Sequence, residues 1–322
     1  MRFNPRARLD RSQVQVRRGG GGGGGFGGMG SRGGGFPIPM GRTGGGVGGL
    51  LVILLVVFLT GGLDGLFGSG TSPGAAPRSA SGAVSSDELT ECETGADANE
   101  NPDCGRLAVV NSIQAFWEET LPEQAGEQYV EADTVMFTGS VDTGCGGATS
   151  DVGPFYCPVQ GDQQVYLDVT FFDDMLEGQL GATGGDFAEA YVLAHEYGHH
   201  IENLLGYMGR VRTQQGPESD AVRLELMADC LGGMWAKYAT TAEDDAGEVL
   251  ILDLDQQDIS EAIDAAQAVG DDRIQERSGG RVDSDRWTHG SAAAREHWFT
   301  VGYEKGTIRD CDTWRTDQLS PS

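Results

Sequence analysis

"FAEAYVLAHEYGHHIENLLG", residues 187–206, holds His195, Glu196 and His199 in an uninterrupted apolar run. On a helix, residues four apart lie about 40° apart around the axis and one turn along it, so the imidazoles of His195 and His199 can converge on one ion. Glu196, one residue on, can flank a metal-bound water instead of ligating the metal. The stretch reads either as a zinc-binding helix with a catalytic carboxylate or as an amphipathic helix that happens to hold histidines. A third ligand decides between them.

The HExxHxxGxxH spacing is excluded, because Glu202 and Leu205 stand where Gly and His are needed. "ELMADC", residues 225–230, offers the other common solution, a glutamate from a following helix. Glu225 is the expected third ligand. Asp229, one turn on, is expected to accept the second N–H of a liganding histidine and fix its ring. Leu224, Leu226, Met227, Ala228 and Cys230 surround them, and unpaired carboxylates are costly in such apolar company. The expected cofactor is Zn2+.

Hydrolysis at zinc also needs a donor for the oxyanion. His289, just before a helix expected from Ser291, is the candidate, with a tyrosine as the alternative. Arg295 is read as a possible contact to a substrate carbonyl or carboxylate, or as the partner of an acid. His200 and His297 are read as structural.

Around this site the pattern is mostly helical. "CGRLAVVNSIQAFWEETLPEQ" places Leu107, Val110, Ile113, Phe116 and Trp117 on one helical face, with Pro122 expected to end it. Further helices are expected over about 218–239 and over "DISEAIDAAQAVG", capped by Asp258 or Ser260. "QQVYLDVTFFDDM" alternates as a strand, and one bordering the cleft could hold an extended substrate by main-chain pairing. The expected fold class is α+β: a mostly helical zincin-like domain with a short β-sheet, preceded by one transmembrane helix.

That last element comes from composition. Eight arginines against Asp10 precede Thr43, among dense glycine, while the remaining residues carry a formal balance of −34. So acidic a domain is repelled by phosphate, which argues against a nucleic-acid partner. Residues 1–42 read as a flexible Arg/Gly-rich cytoplasmic tail. Residues 43–64, centred on "LLVILLVVFL", read as a membrane anchor. Residues 65–100 read as a linker and 101–322 as the zinc peptidase domain. Arginines on the amino side place the tail in the cytoplasm and the domain outside, at the cell membrane. A cleaved signal peptide is the competing reading, since its apolar core is typically that short.

All six cysteines follow the anchor, in keeping with an oxidising compartment. Six allow fifteen pairings, and sequence alone selects none. Short loops favour Cys92–Cys104 and Cys145–Cys157, leaving Cys230–Cys311.

"GPFYCP", "QVYLDVTFF", "HEYGHHIENLLG", "ELMADC", "MWA" and "THGSAAAREHWF" occur in this order over most of residues 105–305. Together they resemble the bacterial family of neutral zinc metallopeptidases. "RSQVQVRRG" and the apolar segment after it resemble that family's basic amino-terminal segment and single membrane span. The resemblance implies a zinc hydrolase fold and says little about targets. The expected function is a membrane-anchored zinc peptidase acting on a peptide or protein substrate. The alternatives are a zinc-stabilised binding domain without catalysis, and a zinc amidase acting on cell-wall material.

Overall fold

The computed structural model describes residues 1–18 and 89–321. The expected anchor, 43–64, and the greater part of the expected tail and linker lie outside the described residues. Among the described residues no helix is long and apolar enough to cross a membrane. The fold is mixed α+β, with about half of the described residues helical and a small sheet.

The first eighteen residues are a correction. Expected in a flexible tail, they are built into the domain. Strand β1 (Arg2–Phe3) pairs antiparallel with β8 (Ile251–Asp253). Strand β2 (Val14–Arg18) runs parallel to β3 (Thr134–Thr138), from Val14 opposite Thr134 to Arg18 opposite Thr138. Phe3, Ala7, Leu9, Val14 and Val16 are buried in the main core. The physical reason is alternation: in "QVQVR" the valines face inward while the glutamines and arginine point away. The linker likewise ends early, because Leu89 and Cys92 are already buried in the same core.

The sheet order is β2-β3-β7-β6, with β7 at Gln164–Asp168 and β6 at Phe155–Cys157. β2, β3 and β7 are parallel, and β6 closes the far side antiparallel to β7. β7, the strand expected to pair with substrate, is therefore enclosed by neighbours on both sides, and β6 is the edge. One face of the sheet, with Val14, Val16, Met136, Val165, Leu167 and Tyr156, joins the helical core. The other, with Val135, Phe137, Tyr166 and Cys157, packs on Val141 and Ala148 of a hairpin made by β4 (Ser140–Thr143) and β5 (Gly146–Thr149).

Helix α1 (Pro102–Ala125) starts at Asn101, whose side chain accepts the Asp103 N–H. It runs past Pro122, the expected terminus, and ends at Gly126, whose positive φ suits a left-handed cap. α2 (Asp186–Leu204) carries the HExxH stretch and is followed by α3 (Asp220–Tyr238), capped by Ser219. α4 (Gln256–Ala268) is capped by Asp255, three and five residues before the expected caps Asp258 and Ser260, because Asp255 accepts N–H bonds from Gln257 and Asp258. A short α5 (Asp271–Arg277) precedes α6 (Ala292–Lys305), capped by Ser291 as expected.

Small residues bring the helices close. A Cβ on Gly198 of α2 would sit 2.9 Å from the Cα of Ala228 in α3. On α6, a Cβ on Gly302 would fall 1.9 Å from the Cys230 carbonyl oxygen. The disulfides are the three expected pairs: Cys92–Cys104, Cys145–Cys157 and Cys230–Cys311. The second fastens the β4–β5 hairpin to β6, and the third ties α3 to the segment after α6.

Candidate active site

Packing of α2 against α3 across Gly198 brings Glu225 under the two histidines. Its carboxylate lies 3.3 Å from Nε2 of His195 and 3.5 Å from Nε2 of His199. One donor atom from each residue lies within 4.8 Å of the others, so the three can share an ion. Both rings present Nε2 to this centre because both Nδ1 atoms are held from behind. His195 Nδ1 is 2.8 Å from Asp229 Oδ1, and His199 Nδ1 is 2.8 Å from Glu202 Oε2. Two imidazoles and one carboxylate, each imidazole backed by a carboxylate, is a donor set that suits zinc.

The charges around the centre favour a cation. Glu196, Glu202, Glu225 and Asp229 are buried around one permanent positive charge, Arg295. Burial opposes ionisation of Glu225, but His289, His195 and His199 hold it well below the usual carboxylate range. Burial likewise disfavours charge on His195, yet Asp229 and Glu225 raise its pKa, and Glu202 and Glu225 raise that of His199 much further.

Glu196 lies close enough to the cluster for the charges of His195, His199 and Glu225 to act on it. Burial raises its pKa, against a smaller pull from the two histidines and from the Tyr156 backbone N–H on β6. A carboxylate whose hold on a proton is strengthened by burial is a better base than a free one.

His289 and Glu225 act on each other: the carboxylate raises the His289 pKa against the effect of burial, and the imidazole lowers that of Glu225. Asp271, at the start of α5, sets its loop: Oδ2 accepts the backbone N–H groups of Thr288, His289 and Gly290 at 2.7–2.9 Å. Nδ1 of His289 lies 2.9 Å from Thr288 Oγ1.

Arg295, only 3% exposed, grips Asp229 with Nε and Nη2, both at 2.8 Å. Of the two roles read from sequence, pairing with an acid is the one observed. Tyr191 also donates to Asp229 Oδ1. His200 is structural, donating from Nε2 to the Val130 carbonyl and accepting at Nδ1 from the Tyr156 hydroxyl. His297 is exposed on α6, away from the cluster.

Three contributors were missed in the sequence. Glu202 follows His199 by three residues, and that spacing on one helical face was a usable signal. Tyr191 precedes His195 by one turn. Asp271 carries no local signal, because its partners lie seventeen to nineteen residues away.

The model of a family described as "Putative neutral zinc metallopeptidase" matches residues 1–314. The chain belongs to this family. An uncharacterized protein of Mycobacterium tuberculosis is 49% identical over 234 residues, covering 72% of this chain and 77% of the relative. The uncharacterized protein YpfJ of Escherichia coli is 37% identical over 295 residues, covering 89% of this chain and 92% of the relative. No solved structure matches the chain. The match of the family to residues 1–314 includes the amino-terminal strands that the fold places in the domain.

Proposed function

We infer that the protein is a zinc-dependent peptidase, tethered to a membrane through residues 43–64, that hydrolyses peptide bonds with Glu196 as general base. The observation carrying this reading is the convergence of both Nε2 atoms and Glu225 on one point, with Glu196 beside it. His195, His199 and Glu225 would hold Zn2+. When bound, zinc supplies a Lewis acid that lowers the pKa of a water to about 7 and polarises a carbonyl.

The chain's own residues supply the remainder. Glu196 takes a proton from the attacking water as its oxygen bonds to the carbonyl carbon, then delivers that proton to the nitrogen as the C–N bond breaks. His289, held by Asp271, donates to the oxyanion. Asp229 and Glu202 keep the imidazoles in the tautomer that frees Nε2. β6 is the outer strand beside Glu196, and its edge can align an extended peptide backbone.

The test is Glu196→Gln. Zinc content should stay at that of the wild type while hydrolysis of a peptide library is lost; retained hydrolysis would remove Glu196 from its role. Incubation with cell-wall fragments beside the peptides separates peptidase from amidase. The purely binding alternative is less well supported, since a structural zinc site has no use for a buried carboxylate beside its open position.

A further inference from the structure

Residues 1–18 share one core with residues 89–321, and the contacts are distributed over the whole segment. Asn4 accepts at its carbonyl from Ala7 and donates its backbone N–H to Leu250. The Ala7 carbonyl accepts from Gly95, and the Leu9 N–H donates to Glu93. Asn111 of α1 bonds both the N–H and the carbonyl of Asp10. A Cβ on Gly95 would come within 2.0 Å of the Asn4 carbonyl oxygen, so the two backbones touch. Beyond these, β2 is a full member of the main sheet.

A strand cannot pair with β3 from the other side of a hydrocarbon layer roughly 30 Å thick. One crossing between residues 19 and 88 would place it there. The arginines that suggest a cytoplasmic tail have other work in the fold. Arg2 pairs with Asp253 and Arg6 with Glu248, while Arg11 donates to the Thr90 carbonyl. Arg8 donates its backbone N–H to Asp244 and its charge lies close to that carboxylate. Arg2, Arg6 and Arg8 thus face acids of the domain, a use for their charge within the fold.

We propose that residues 1–18 and 89–321 lie together on the exported face of the membrane. The exported face follows from three disulfides within residues 92–311.

The native cysteines are all paired among the described residues, so an added thiol reports alone. Arg6→Cys and Val130→Cys, both at exposed positions, are made separately in the full chain and treated in intact spheroplasts with a membrane-impermeant maleimide. Labelling of both before lysis is expected. Protection of either one until lysis overturns the proposal. The Arg2→Cys/Asp253→Cys pair, at facing positions of β1 and β8, gives a second readout by peptide mapping. A cross-link within one chain formed before lysis supports the proposal, and one that forms only after detergent lysis overturns it. Neither readout depends on hydrolysis.

Discussion

Arg295 holds Asp229 by two parallel 2.8 Å hydrogen bonds, and the same Asp229 oxygen that takes Nη2 also takes Nδ1 of His195. The guanidinium therefore acts on the metal centre through a carboxylate. Burial works against both charges, yet each keeps the other ionised: Asp229 is lowered and Arg295 raised well above its usual value. Arg295→Leu strands a fully buried carboxylate, and such losses cost about 3–5 kcal/mol. Urea unfolding should show that loss. A variant of normal stability with only a raised KM would return Arg295 to a substrate-binding role.

Glu202 makes the matching bond behind His199. Glu202→Gln keeps the shape while weakening the hold on Nδ1, and zinc affinity should fall about 10–100-fold. Competition with a chelator measures it. An unchanged affinity would mean that Glu202 does not orient the ring.

His200 gives a pH signature of stability. Burial lowers its pKa from about 6.5 to about 4, so the folded protein keeps it neutral where the unfolded chain protonates it. Its contribution is complete above about pH 6.5 and is lost as pH falls from there through about 4. His200→Gln should be less stable at pH 8 and show a shallower decline over that window, by urea titrations at several pH values. Equal slopes would argue against this assignment.

Gly198 sets how closely α2 approaches α3. Gly198→Ala has to push Ala228 away, and overpacking of this kind costs about 1–3 kcal/mol. Zinc affinity should fall with stability, because Glu225 rides on the displaced helix. Gly209→Ala, where nothing lies within 4 Å, is the control and should leave both unchanged.

Phe3 tests the amino-terminal segment directly. Only 5% exposed, it packs within the main core, and Phe3→Ala should cost about 3–5 kcal/mol in thermal or urea unfolding. A free tail would show no change.

The helical parts of the site were readable because their information is local. His195, Glu196 and His199 lie within one turn and a fraction, and Glu225 with Asp229 repeats that spacing on the next helix. The sheet was less readable. β6 is three residues long, and β2 finds its parallel partner 120 positions away, so nothing next to either strand announces the pairing. "QVQV" did alternate with the period of a strand. Its arginines and the glycines that follow directed the reading to a tail instead. Asp271 was hidden for the same reason as β2, since its role depends on a loop brought back by the fold.

The pairing of β1 with β8 also orders events in time. Phe3 is made 248 positions before its partner Ile251. At about 5–20 residues per second, the ribosome separates the two by roughly 12–50 s. Throughout that interval Phe3 lacks the strand it pairs with, although Val14 and Val16 can already meet β3. Chain order thus lets β2 settle well before β1.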